Sequence, residues 1–349
     1  KTIKRIRLTS FVKNLKPNFS HIYLEKDAIG YPLSELALSK FSESTIVNID
    51  HYKDLFNRKG QNFQLQKKSM KLILAIKREP LLYDGSSMIQ DYMTPNVYYN
   101  TPILNCLYNC DYCFLQGMYD SGNLVVFVND QEMMGAIDER VSNPLDPSRP
   151  TVISISYNTD LLAMENILPL CRRWINYVKG KKDTIIEIRT KSALFNAISD
   201  MKPIDNVILS WTLSPESICR QYEAAAPPLE RRVNSLKNAL ANGWRVRLCF
   251  DPIILVGDWF ETYSKFFKDL FDELDCNKIQ DVTLGVFRMN KDYFNKIRKR
   301  DTRSNIYFSK YTIEKGAVVV ERKERVEAMN KIQNILIKFI SKDKILIWK

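Results

Sequence analysis

The sequence predicts an α/β fold: a partial, open (β/α)6 barrel with an N-terminal α+β extension and a C-terminal hairpin/helix extension. Three observations carry this. Six apolar, strand-like runs alternate with amphipathic helical runs through the middle of the chain, the pattern of parallel strands covered by helices. Those runs are apolar nearly throughout instead of alternating, as in strands buried on both faces. Six units are too many for most open sheets and too few for a closed barrel of eight, and chemistry in such barrels sits at the C-terminal strand ends.

In order, residues 123–129 (NLVVFVN) read as the first barrel strand, with a helix over 130–141. Residues 151–157 (TVISISY) form the second strand, followed by the helical run 164–178. Residues 184–189 (TIIEIR) are the third, with a helix over 192–198, and 206–213 (NVILSWTL) the fourth, with a helix over 228–241. Residues 245–255 precede a helix at 259–274, and 281–287 lead into another at 291–300. The leading region should hold a helix over 46–58 and a strand over 70–76. The tail should hold a hairpin across 306–321 that turns at 314–316, a helix over 324–340 and a short last strand. The expected units are therefore 1–100, 101–290 and 291–349.

With 349 residues, 45% of them hydrophobic and 26% charged, the chain can bury a sizeable core, and disorder is not suggested. Every long apolar stretch is broken by charge, so no span crosses a bilayer and a soluble, cytoplasmic protein is the expectation. The chain opens on Lys1, not Met, which leaves room for a preceding targeting segment. A net charge of +12 points to a polyanionic partner, nucleic acid first; a solvated lysine-rich surface is the plain alternative. Two basic clusters stand out, Arg298-Lys299-Arg300 with Arg303, and Arg322-Lys323 with Arg325.

Seven cysteines are an odd number and do not form a secreted disulfide framework. Cys171, Cys219 and Cys276 sit in helix-like segments, and Cys249 lies in the fifth strand-like run. Cys106, Cys110 and Cys113 fall within eight residues, in a loop placed just before the run at 123–129. Thiolates are soft ligands, and this spacing lets one loop wrap an iron–sulfur cubane. Three ligands leave one iron open to the amino and carboxylate groups of a small molecule. Structural zinc would want a fourth ligand nearby, and the only histidines, His21 and His51, are far upstream.

Cys106-x-x-x-Cys110-x-x-Cys113, with Tyr112 before the last cysteine and a six-unit barrel behind it, resembles the radical S-adenosylmethionine superfamily. More closely, the chain is similar to the spore photoproduct lyase family. The matching stretches include Lys71-Leu-Ile-Leu-Ala75, Phe114-Leu115-Gln116, Asn158-Thr-Asp160, Arg189-Thr-Lys191-Ser192 and Ser210-Trp-Thr-Leu213. They continue through Leu229-Glu-Arg231, Phe250-Asp-Pro-Ile-Ile254 with Trp259, and Leu284-Gly-Val-Phe-Arg288; their order is more specific than any one fragment. The resemblance implies a partial radical-SAM barrel, a [4Fe–4S] cluster and S-adenosyl-L-methionine. It implies a carbon–carbon lyase that reverts the spore photoproduct, a thymine dimer, in duplex DNA. It also implies an external electron donor such as flavodoxin or ferredoxin.

By the same resemblance Cys106, Cys110 and Cys113 bind the cluster, and Tyr112, Thr159, Asp160, Lys191 and Thr212 contact the cofactor. Two places depart from the family. Tyr157 stands where the family has the cysteine that returns a hydrogen atom, and Phe114 where it has a cooperating tyrosine. Tyr157, whose phenol carries a transferable hydrogen, and Cys249 are the candidate donors. The family extrudes the lesion with a C-terminal hairpin, which here nominates Arg298, Arg300, Arg303, Lys310, Tyr311 and Arg322 for DNA. The departures keep open a family enzyme acting on another, nucleic-acid substrate. A non-enzymatic, metal-stabilised nucleic-acid-binding protein is a third reading.

Overall fold

The computed structural model describes residues 18–85, 92–300 and 303–348. Its central sheet is built from β1 (Val97–Tyr99), β2 (Thr151–Ser154), β3 (Thr184–Thr190), β4 (Val207–Thr212), β5 (Arg245–Ile253), β6 (Ile279–Val286) and β7 (Ile345–Ile347). These lie side by side in chain order, all parallel, and the short strand Tyr83–Asp84 pairs antiparallel with β1. The two edges do not pair with each other, so the sheet is an open, partial barrel and the α/β expectation holds.

Strand alternation sorts each strand's side chains between two faces. On β5, Val246, Leu248 and Phe250 face the covering helices; Phe250 packs on Phe266, Phe267 and Phe271 of the helix Trp259–Asp272 at 5.8, 4.8 and 6.4 Å. The inward residues include charged ones. Arg247 reaches Asp281 at 2.5 and 2.8 Å and Glu187 at 3.4 Å, while Ser210 Oγ donates to Glu187 at 2.8 Å. Tyr92 O–H also donates to Glu187. Tyr92 and Glu187 of this paired network also line the cavity inside the barrel. Charges so buried persist only because each has partners.

The N-terminal region adds a five-stranded sheet, ordered Thr45–Ile49, His21–Glu25, Leu72–Ala75, Leu124–Phe127 and Ile103–Leu104. Here the structure corrects the first assignment. Leu124–Phe127 is not the first barrel strand but a member of this sheet, and β1 takes the barrel position. A fully apolar four-residue run suits either sheet, and β1 has only three residues, two of them tyrosines. The cysteine loop therefore follows the first barrel strand instead of preceding it.

Residues 46–58 are also not one helix. Thr45–Ile49 is an edge strand, as its β-branched Ile46, Val47 and Ile49 favour, and only Lys53–Phe56 is helical. Over 192–198 only the single turn Phe195–Ala197 forms. The hairpin is shorter than expected, Thr312–Glu314 against Ala317–Val319, with Asn305–Phe308 a helical turn before it. Lys315 and Gly316 make its turn with φ of 47° and 80°, the geometry of a two-residue hairpin turn. The expected boundary near residue 100 is crossed by Ile103–Leu104 and Leu124–Phe127, and β7, from the tail, pairs with β6. No helix among the described residues is long and apolar enough to cross a membrane.

Candidate active site

The cysteine loop is held from several sides. Asn105 precedes it with φ of 74°, a left-handed conformation that asparagine tolerates better than most. Its side chain accepts from Cys106 N at 2.9 Å and donates to the carbonyls of Ser121 and Asn123, both at 3.0 Å. Asn109–Cys110 pairs antiparallel with Glu223–Ala224, and Asp111 N donates to Tyr222 O at 2.7 Å. Tyr112 O–H donates to Glu223, whose carboxylate lies 2.6 Å from the guanidinium of Arg232, both side chains fully buried.

Cys106 and Cys110 are buried, Cys113 is half-buried, and all three line one cavity of about 400 Å³. Burial pushes the Cys106 thiol up to about 12 and the other two upward, so thiolates here need a metal to stabilise them. Among the described residues no three Cys, His, Asp or Glu side chains gather as ligands of a single ion. A cubane asks less, because each thiolate binds a different iron. Thr159 Oγ1, buried in the same cavity wall, has no hydrogen-bond partner and fits a polar group of a bound cofactor.

Beside the thiols, the C-terminal strand ends supply polar groups. Asp160 accepts from Thr190 Oγ1 at 2.6 Å, Lys191 N at 2.6 Å and Ala163 N at 3.0 Å. Its carboxylate thus joins the end of β3 to the loop after β2. Burial works against the Lys191 ammonium, but Cys110 and Glu223 outweigh it and raise the pKa; Nζ stands 5.3 Å above the Tyr112 ring centre. Thr212 Oγ1 accepts from Arg189 Nε at 3.2 Å. Arg189 also donates to Asp251 O at 2.9 Å, and Arg288 grips the Asp251 carboxylate at 2.7 and 3.2 Å.

The opposite wall is aromatic. Tyr157 lies between Phe114, at 5.6 Å between ring centres, and Tyr99, at 4.5 Å; Tyr83 stacks on Tyr99 at 4.9 Å. Cys249 is inward on β5, in the row of Arg247 and Asp251, but wholly buried and outside the cavity lining.

The basic residues divide. Arg298, Lys310 and Arg322 are exposed, as is Arg303. Arg300 instead donates to the carbonyls of Gln116 and Tyr119 at 2.7 and 2.9 Å and to Asp120 at 2.6 Å, joining the helix Lys291–Arg300 to the turn after the cysteine loop. Gly117 lets this helix lie flush, because a Cβ there would stand 2.5 Å from Tyr293 Cα. Tyr311 is half-buried against Phe287 and Phe294, at 5.6 and 5.5 Å.

Sequence reasoning gave no role to Glu223, Arg232, Asp251, Arg288 or Tyr99. Nothing in their spacing marks them; Asp251 and Arg288 stood only within matched stretches. Three thiols on the loop after the first strand of an open barrel share a cavity with polar groups at the strand ends, an arrangement that fits a radical S-adenosylmethionine protein. The family model described as spore photoproduct lyase matches residues 16–338, and the chain belongs to the spore photoproduct lyase family.

The spore photoproduct lyase of Clostridium acetobutylicum is 22% identical over 274 residues, 75% of this chain and 76% of that protein. That of a Geobacillus strain is 20% identical over 287 residues, 80% of each. A solved spore photoproduct lyase complexed with dinucleoside spore photoproduct is similar at TM-score 0.81 and 16% identity, covering 96% of this chain and 99% of that one. A mutant of the lyase with AdoMet and the dinucleoside bound matches equally, at TM-score 0.81, 16% identity and the same 96% and 99% coverage.

Proposed function

We propose that this chain is a DNA repair lyase that reverts the spore photoproduct to two thymines, using a [4Fe–4S] cluster and S-adenosylmethionine. The observation that carries it is the shared cavity, in which Cys106, Cys110 and Cys113 face Thr159, Asp160, Lys191 and Thr212, in a member of this family. The three cysteines would hold the cluster. Thr159, Lys191 and the backbone at Tyr112 would hold the cofactor, with Asp160 and Thr212 setting the strand ends around it. When bound, the two groups supply a 5′-deoxyadenosyl radical that takes a hydrogen atom from the lesion.

The chain's own residues position the lesion, exclude water and return the hydrogen. Tyr157 is the donor we assign: its O–H bond breaks and the hydrogen passes to the product carbon. An electron from an external donor, together with a proton, restores the phenol. Cys249 is the second candidate, and from its buried place it requires strand movement to reach substrate. Exposed Arg298, Arg303, Lys310 and Arg322 meet DNA phosphates, and the hairpin beside them supports extrusion of the lesion, which chemistry on a base requires.

The test is anaerobic reconstitution with iron and sulfide, followed by reduction with S-adenosylmethionine and DNA carrying spore photoproduct. Recovery of thymine with formation of 5′-deoxyadenosine is expected. Without charge-transfer colour and 5′-deoxyadenosine, the enzyme reading fails and a non-enzymatic nucleic-acid-binding role replaces it. Phe114 and Tyr157 favour one alternative, a family enzyme with another nucleic-acid substrate. Cofactor cleavage without thymine recovery would establish it.

A further inference from the structure

One cation at the cysteine loop has no part in the reading above. Lys67 belongs to the short helix Phe63–Lys68, which the N-terminal region sends to the loop, and its Nζ donates to the backbone oxygen of Cys106. Burial lowers its pKa, and the thiols of Cys106, Cys113 and Cys110 oppose this only in part. The amine is thus seated on the backbone of the first cysteine of the loop.

The helix has little freedom to move away. Asn109 Nδ2 donates to Gln64 Oε1 at 2.8 Å, Gln64 Nε2 to Gln116 Oε1 at 2.9 Å, and Gln116 Nε2 to the Cys110 carbonyl at 2.7 Å. Two amides in series, Gln64 and Gln116, therefore connect the helix to the second cysteine. Asn109 ties the loop to Gln64, and Lys67 connects the helix to the first cysteine. On the far side, Gly122 is pressed so close that a Cβ there would lie 2.5 Å from Phe63 O. Lys67 is thereby anchored on the cysteine loop.

We propose that Lys67 is the charge partner of the cluster and sets its reduction potential, a positioning role. The proposal rests on the cluster assignment above. Reduction adds one electron, supplied by a low-potential reductant, and makes the cluster more negative. A neighbouring cation stabilises that state more than the oxidised one, the more so where water is excluded. Lys67 therefore makes the cluster easier to reduce.

The test is an EPR-monitored redox titration of reconstituted protein without S-adenosylmethionine, comparing wild type, Lys67→Gln and Lys67→Arg. Glutamine keeps a donor and drops the charge; arginine keeps the charge. The Gln variant should lower the reduction equilibrium at least about tenfold, which is 59 mV for a one-electron couple. The Arg variant should stay at the wild-type potential. A Gln variant with full iron and the wild-type potential overturns the proposal, as does an equal fall in both variants. If the Gln variant takes up no iron, an Arg variant with wild-type iron and potential upholds the role of charge, and loss in both overturns it. Wild-type protein that takes up no iron overturns the cluster assignment itself, and the proposal with it.

Discussion

The ring of Phe114 lies 5.6 Å from the ring of Tyr157, so the residue after Cys113 and the residue three before Asp160 meet in the aromatic wall of the cavity. The two places at which the resemblance predicts a tyrosine and a cysteine form one contact. A side chain with no transferable hydrogen faces one that has it, and Tyr99 backs the second at 4.5 Å.

Tyr157→Phe keeps these ring contacts and removes only the O–H. Formation of 5′-deoxyadenosine should continue while thymine recovery falls at least about tenfold, a barrier increase of ~1.4 kcal/mol. Chromatography of both products from one reaction checks this. Equal yields of thymine in variant and wild type would remove Tyr157 as the donor.

Cys110→Ala should lose the cluster, and Cys171→Ala should retain it, because Cys171 is packed in the helix Leu170–Val178 outside the cavity lining. Iron and sulfide content after anaerobic reconstitution is the measurement. Matching iron in the two variants contradicts the assignment.

Burial alone would raise the Asp251 carboxyl, but Arg288 and Arg189 outweigh it and hold it at about 2. A depressed carboxyl contributes stability that is complete above its unfolded pKa of ~3.9 and is lost as pH falls toward 2; the magnitude is about 2 kcal/mol. Asp251→Asn leaves two guanidinium groups under-compensated and should cost about 3–5 kcal/mol near neutrality. The gap in melting temperature between wild type and variant should narrow below about pH 4. A gap independent of pH would count against the ion pair.

Arg300→Ala should lower thermal stability, by about 1–3 kcal/mol, since two carbonyls and Asp120 lose a charged donor. It should leave the salt dependence of DNA binding unchanged. Arg298→Ala and Lys310→Ala should do the reverse, each reducing the slope of log K against log salt by about 1. Binding titrations at several salt concentrations separate the two sets.

The legible parts of the fold were those whose signal is local. β2 to β6 each carry an apolar face toward the helices, in β3, β5 and β6 interrupted by inward charges such as Glu187, Arg247 and Asp281. The three cysteines stand close together in the sequence. What escaped depends on partners distant in sequence. Leu124–Phe127 is apolar enough for either sheet, and only its pairing with Leu72–Ala75 decides. Glu223 is an ordinary carboxylate until Tyr112, 111 residues away, and Arg232 enclose it. Lys67 looks like any surface lysine at the end of a helix, and Arg300 reads as part of a basic tract although its donors are taken up internally.

The cysteine loop leaves the N-terminal sheet at Ile103–Leu104, and the chain returns to that sheet at Leu124–Phe127. β1, immediately before, belongs to the barrel. The two sheets are therefore stitched together on either side of the cysteine loop. Chimeras that exchange the front of this protein for that of a relative should fail when joined near residue 100 and succeed only when the graft carries everything through Phe127. What recombination can move as a module here is the front sheet with the cysteine loop, and the remaining barrel is the acceptor.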